Sequence, residues 1–257
     1  MIHDIIYFFT GMLVGAMNAI AGGGILVGFP IMLALGMPPL IANATANVAV
    51  LPGNISATFS YRKYLKKVPR QYLLLLIPTS IGAAIGAELL RHTTFNNFDE
   101  FIPGLIMFAV VLFAFQPLLY RLIHKHLHGP KRNRKSYRPL LIVGLAVLPL
   151  SIYGGYFGAG FGLIMLAFLG FTKLHEHIHR MNSLRTATTV CIATVSIICL
   201  YGSHLIDWKH GLIMGSGCLI GGYFGGLGIQ KVSPRTLRIL VLIIGVSTAI
   251  YLGLRRY

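Results

Sequence analysis

The chain has 257 residues, of which 55% are hydrophobic and only 11% charged, with a mean hydropathy of +0.74. A water-soluble domain carries about a quarter of its residues as charges, so a soluble enzyme or binding module is excluded. The net charge of +16 does not point to nucleic acid, because the basic residues lie in short blocks between apolar runs, the pattern that orients membrane helices.

In chain order, the first apolar segment, about Ile5–Gly36, is interrupted at "AIAGGGILVGFP" (Ala19–Pro30). Its start lacks the basic region of a signal peptide and carries Asp4, so it is expected to remain in the mature protein. Three uninterrupted spans follow at about Ile41–Tyr61, Gln71–Leu90 and Ile102–Tyr120. A second broken segment, about Pro139–Phe171, contains "YGGYFGAGFGLIML" (Tyr153–Leu166). Three more spans, near Asn182–Gly202, Gly211–Ile229 and Thr236–Leu254, complete the chain. Each broken segment has about 32 residues, too long for one upright span and too short for two, which need about 40.

Loop charges decide the path. "RKYLKKVPR" (Arg62–Arg70) and "RLIHKHLHGPKRNRKSYR" (Arg121–Arg138) are basic without an acid and belong inside. "RHTTFNNFDE" (Arg91–Glu100) and "SHLIDWKH" (Ser203–His210) fit outside, and "QKVSPRTLR" (Gln230–Arg238) fits inside. This order holds only if the second broken segment enters and leaves on one side. An offset of 139 residues also superposes Gly15 on Gly154, Gly23 on Gly162, Asn43 on Asn182, Gly82 on Gly221 and Gly86 on Gly225. The expected architecture is therefore an all-α polytopic membrane protein of two inverted repeats. Each repeat is a glycine-broken re-entrant segment, or short-helix hairpin, plus three transmembrane helices. Residues 1–128 form the first repeat, 129–138 a basic cytoplasmic linker, and 139–257 the second.

A broken helix in hydrocarbon exposes backbone polar groups unless they line a cavity. In transporters with inverted repeats such half-helices meet near the midplane and aim their ends at the substrate. Glycine lets a ligand approach the backbone, and a half-helix N-terminus favours an anion. Candidate substrate-binding residues are therefore Gly22, Gly23 and Gly24 in the first break and Gly158, Gly160 and Gly162 in the second. Arg185 joins them, as a basic residue inside a span, which is costly and marks function. Asn182 shares its helical face one turn earlier, and Asn43, the repeat mate of Asn182, shares a face with Asn47. Gly217, Gly221 and Gly225, or Gly222 and Gly226, read instead as small residues for close helix packing.

"AGGGILVGFP" with "ANATANVAVLPG" (Ala42–Gly53), and "FGAGFGLIML" with "HRMNSLRTA" (His179–Ala187), resemble the sulfite exporter TauE/SafE family of membrane permeases, in the right order and over essentially the whole chain. The resemblance implies transport of sulfite, sulfonates and other sulfur-containing organic anions across the cytoplasmic (inner) membrane. The alternative is a transition-metal transporter, or a metal- or pH-gated one, using the histidine pairs His124/His128 and His175/His179, whose i,i+4 spacing suits one metal.

No cofactor is expected, and Ser and Thr in the spans have no base beside them, so catalysis is not expected either. Cys191, Cys199 and Cys218 lie in apolar spans without disulfide or zinc spacing. Expected partners are a small anion and the anionic headgroups of the cytoplasmic leaflet. A homodimer is compatible with the sequence. Topology is tested with single cysteines: Thr93→Cys and Ser203→Cys should react with an impermeant thiol reagent from outside, and Lys131→Cys only after permeabilisation. Labelling of positions 93 and 203 from opposite faces would overturn the re-entrant path.

Overall fold

The computed structural model describes residues 2–127, 140–170, 172, 174, 177–227, 239, 242–243 and 245–250. The expected linker at 129–138 lies outside them. Among the described residues the chain is helical, with no strand. It is a multi-pass membrane protein by its apolar helices. Arg70–Arg91, Phe95–Phe115 and Ile178–Leu200 are long and apolar enough to cross a bilayer, and 25–34, 144–156 and 161–170 are shorter apolar helices.

The first broken segment becomes α1 (Ile2–Ala21) and α2 (Ile25–Ala34), followed by the long α3 (Pro39–Ser60). Proline at the first turn suits the start of α3, where its missing N–H costs nothing. Two four-residue turns, α4 (Arg62–Leu65) and α5 (Arg70–Leu73), carry the first basic block to α6 (Leu76–Arg91). The helix α7 (Phe95–Leu127) is much longer than the apolar run that marks it. Its start is capped where Thr94 Oγ1 accepts from the Asn97 N–H at 3.3 Å. The second half repeats the order: α8 (Leu140–Tyr156), the ten-residue α9 (Phe161–Gly170), α10 (Ile178–Leu200) and α11 (Trp208–Gly226), with helical residues again at 245–250.

Glycines set how these helices pack. Gly11 and Gly15 of α1 lie against Met214 and Cys218 of α11, while Gly217, Gly221 and Gly225 lie against Phe8, Met12 and Ala16. Both series rise together, so α1 and α11 run the same way. On the other side of α11, Gly211, Gly215, Gly222 and Gly226 meet Thr45, Pro52, Gly53 and Ser60 in order, so α3 runs with them too. Gly82 meets Ser151 and Gly86 meets Tyr156, which makes α6 and α8 parallel. Ser80 Oγ stands 3.0 Å from Cys191 Sγ, and further along Glu88 and Arg91 come within electrostatic reach of Cys199, so α10 follows α6.

The two triplets oppose each other. Tyr64, just past α3, stacks on His179 at the start of α10. Asn47 and Val50, nearer the other end of α3, line one cavity with Thr189 and Ile192, which lie further along α10. Because α1 and α3 are parallel, α2 between them carries the chain back, and α9 does the same between α8 and α10. Ten residues rise about 15 Å, half of a hydrocarbon core of about 30 Å.

The packing glycines differ sharply in what a methyl group would meet. A Cβ on Gly221 would run into the Met12 carbonyl, whereas one on Gly104 would have nothing within 4 Å. Gly221→Ala should lower thermal stability in detergent by about 1–3 kcal/mol, and Gly104→Ala should leave it unchanged or raise it by up to ~1 kcal/mol. Equal behaviour of the two variants would contradict the close α1–α11 contact.

Candidate functional site

Each break begins where a helix stops. At the end of α1, Gly22 takes φ +77°, a left-handed turn that only glycine adopts freely. Its N–H donates to the carbonyls of Asn18 (3.0 Å) and Met17 (3.2 Å). Arg185, 1% exposed, brings two more donors from α10: Nη1 to Asn18 O at 3.1 Å and Nη2 to Ala19 O at 2.7 Å. The guanidinium thus closes the negative end of α1.

The second break has its own closure. Phe157 and Gly158 donate to Tyr153 O, and Gly158 takes φ +74°. Asn43 of α3, 1% exposed, donates Nδ2 to Tyr156 O at 2.7 Å, and Tyr153 Oη donates to Ala159 O at 2.6 Å. Each half-helix is therefore closed by a side chain from the other half of the chain.

The breaks touch backbone to backbone. A Cβ on Gly162 would stand 2.8 Å from Gly22 Cα and 3.2 Å from Arg185 Nη1. Beside that contact lies a cavity of about 20 Å³, room for about one water. Gly22 and Ile25 line it from the first break, and Gly154, Gly158, Phe161 and Gly162 from the second. The N-termini of the two ten-residue helices α2 and α9 therefore border one space, and that of α2 has no side-chain cap. Asn18, Asn47 and Asn54 add three buried amides, and Thr189 a hydroxyl. Asn18 Nδ2 donates to Asn54 Oδ1 at 2.6 Å, while Asn47 Nδ2 reaches only to Asn43 O at 3.5 Å. Among the described residues, no acidic side chain lines the cavity.

The family model described as "Sulfite exporter TauE/SafE" matches residues 7–252. The chain belongs to this family. A Haemophilus influenzae protein named "Probable membrane transporter protein" is 30% identical, covering 93% of this chain and 89% of that relative. A Sinorhizobium protein named "Probable membrane transporter protein ORF9" is 25% identical, over 95% and 90%. The Escherichia coli K12 protein named "Probable membrane transporter protein YfcA" is 27% identical, over 93% and 85%. No solved structure matches. The family and these names agree in describing membrane transporters.

Of the residues singled out in the sequence, Gly22, Asn47, Gly158 and Gly162 line the cavity. Gly23 faces the Phe113 ring, Gly24 caps α2 against Val14 and Asn18, and Gly160 packs 3.6 Å from Ala109. Asn43 and Arg185 hold carbonyls, as described, and Arg185 Nε is buried without a partner. Asn182 is half-buried, with Oδ1 enclosed and unpartnered.

The sequence reading missed Asn18, Asn54 and Thr189. Asn54 carried a signal, because it follows Asn43 and Asn47 on one face of the same apolar helix. The histidine alternative finds little to stand on. His179 is exposed and stacks on Tyr64, no cluster of three metal-ligating side chains occurs among the described residues, and His128 and His175 lie outside them.

The Asn18–Asn54 bond is the most accessible test of this polar cluster. Asn18→Leu should destabilise the protein by about 1–3 kcal/mol, because Asn54 Oδ1 loses its buried donor. Asn18→Leu combined with Asn54→Leu should cost less than the sum of the two single changes. Strict additivity in detergent unfolding would show that the pair is not formed.

Proposed function

We propose that this protein exports small sulfur-containing anions, such as sulfite or organosulfonates, across the cytoplasmic membrane. The single observation that carries the anion is the cavity where the N-termini of α2 and α9 meet. Aligned peptide dipoles give each N-terminus a partial positive charge and outward N–H groups. Buried amides beside them supply further donors, and among the described residues the lining holds no carboxylate to repel an oxyanion. The family's description as sulfite exporters supports a sulfur oxyanion as the substrate.

The same geometry supports reading the chain as two inverted repeats. The repeat mates α1 and α8, α3 and α10, and α6 and α11 run in opposed directions, and α1 pairs with α11 as α8 pairs with α6. This reciprocal exchange supports a two-fold axis in the membrane plane, the arrangement that lets rocking of one half against the other expose a central site alternately.

Outward movement of one negative charge from a negative cytoplasm gains about 2.3 kcal/mol per 100 mV. Export of an anion therefore needs no co-transported ion. In this reading Gly22, Gly158 and Gly162 let the substrate approach the backbone, and Asn47, whose amide has only the 3.5 Å contact, joins Asn18 and Asn54 as a donor.

Purified protein in liposomes loaded with sulfite, a short alkyl sulfonate, sulfate or chloride tests this. An inside-negative potential should drive release of sulfite or the sulfonate well above sulfate and chloride. Asn47→Leu should weaken substrate affinity roughly tenfold or more, as expected when a hydrogen bond to a charged group is lost. Equal flux of all four anions, or none, would overturn the assignment.

A further inference from the structure

Two side chains close the broken helices, and they stand on opposite sides of the cavity. On α3, Asn43 lies one turn from Asn47, toward the end of the helix that begins at Pro39. On α10, Arg185 lies one turn from Thr189, toward the end that begins at Ile178. Because α3 and α10 are antiparallel, these ends face opposite membrane surfaces. Arg185 sits toward the face carrying Arg62–Arg70, where Tyr64 meets His179. Asn43 sits toward the face of Thr93, whose hydroxyl is 3.4 Å from Tyr156 Oη.

We infer that Arg185 and Asn43 are the two latches of an alternating gate, each binding the C-terminal carbonyls of a half-helix from the other half of the chain. Opening one side requires α8 to separate from α3, and opening the other requires α1 to separate from α10. Among the described residues these pairs are joined by the hydrogen bonds from Asn43 Nδ2 to Tyr156 O, and from Arg185 Nη1 and Nη2 to Asn18 O and Ala19 O. Arg185 is then a positioning residue for the first break, acting through the backbone of α1. A freed half-helix end would expose its carbonyls, so opening is favourable only as water enters that side.

The latches are unequal. Arg185 makes two charge-assisted bonds, which are stronger than neutral ones, and Asn43 makes one neutral bond. The repeat mate of Arg185 is Ala46, so no second cation balances it. The Asn43 side is therefore the easier one to open, and the protein at rest without substrate should favour access from the face of Thr93.

The inference rests on reading the cavity as the transport site, but its test uses no substrate, so failure of sulfite or sulfonate flux leaves the outcome readable. In a variant with the three native cysteines replaced by alanine, Val50→Cys places a thiol in the cavity lining. Its reaction with an impermeant methanethiosulfonate reagent is followed from each face in oriented vesicles.

Arg185→Ala should speed labelling about tenfold or more from the Arg62–Arg70 face only. Asn43→Ala should speed it from the Thr93 face only, and by less. A rise from both faces alike would mean general loosening and would overturn the gate, as would no rise in either variant. Should Arg185→Ala fail to fold, Arg185→Lys carries the comparison, since it keeps the charge but not the planar fork. Faster labelling from the same single face then supports the latch, and parental labelling overturns it.

Discussion

The structure depends on how a helix can end inside hydrocarbon. A terminus in water leaves its last carbonyls to the solvent, but in the membrane each unpaired group costs several kcal/mol. Here α1 stops at Ala21, and the carbonyls of Met17, Asn18 and Ala19 in its last turn are taken by the Gly22 N–H and by the Arg185 guanidinium. Arg185 is itself tolerable only because of that arrangement. A buried cation needs negative partners, and the negative end of a helix dipole supplies them without a carboxylate. Break and charge stabilise each other.

That mutual dependence ties together segments far apart in the chain. Arg185 reaches back 166 residues to Ala19, and Asn43 forward 113 to Tyr156. Each half of the chain finishes the other's broken helix, so neither half can bury its own polar termini alone. The same exchange appears in packing, where α11 fits against α1 and α6 against α8. Lipid tails are as apolar as leucine, so these contacts rely on close approach of backbones. Glycine at Gly15, Gly86 and Gly221 brings a neighbouring carbonyl to where a methyl group would otherwise stand.

Much of this was legible in the sequence. The two breaks follow from segment length and loop charge, and the packing role of Gly217, Gly221 and Gly225 from spacing alone. Arg185 stood out because a cation inside an apolar span is rare, yet its partners were not legible. Peptide carbonyls leave no mark in a sequence, and a contact across more than a hundred residues has no local pattern. Asn18 was hidden for a related reason, since its role depends on the partner Asn54 from another helix. The extent of α7 was missed because hydropathy falls near Tyr120 while the helix runs on to Leu127. Helix propensity does not require an apolar side chain, and Arg, Lys and Leu propagate a helix as readily as the apolar residues before them.

The charge distribution around the breaks bears on what such a site can select. The negative ends of α1 and α8 are covered by Arg185 and Asn43, while the positive ends of α2 and α9 border the cavity. With one end of each pair covered, the exposed helix N-termini favour negative charge at the crossing, and among the described residues no cationic side chain lines the cavity. Dipoles fixed in the backbone cannot follow a ligand as a lysine side chain would, so under the proposed function the attraction would stay in place while the substrate moved. Amides such as Asn47 and Asn54 add direction to that potential and not further charge. Under the proposed function, a site built from fixed dipoles and amides would hold an anion without a full countercharge, which favours release over storage.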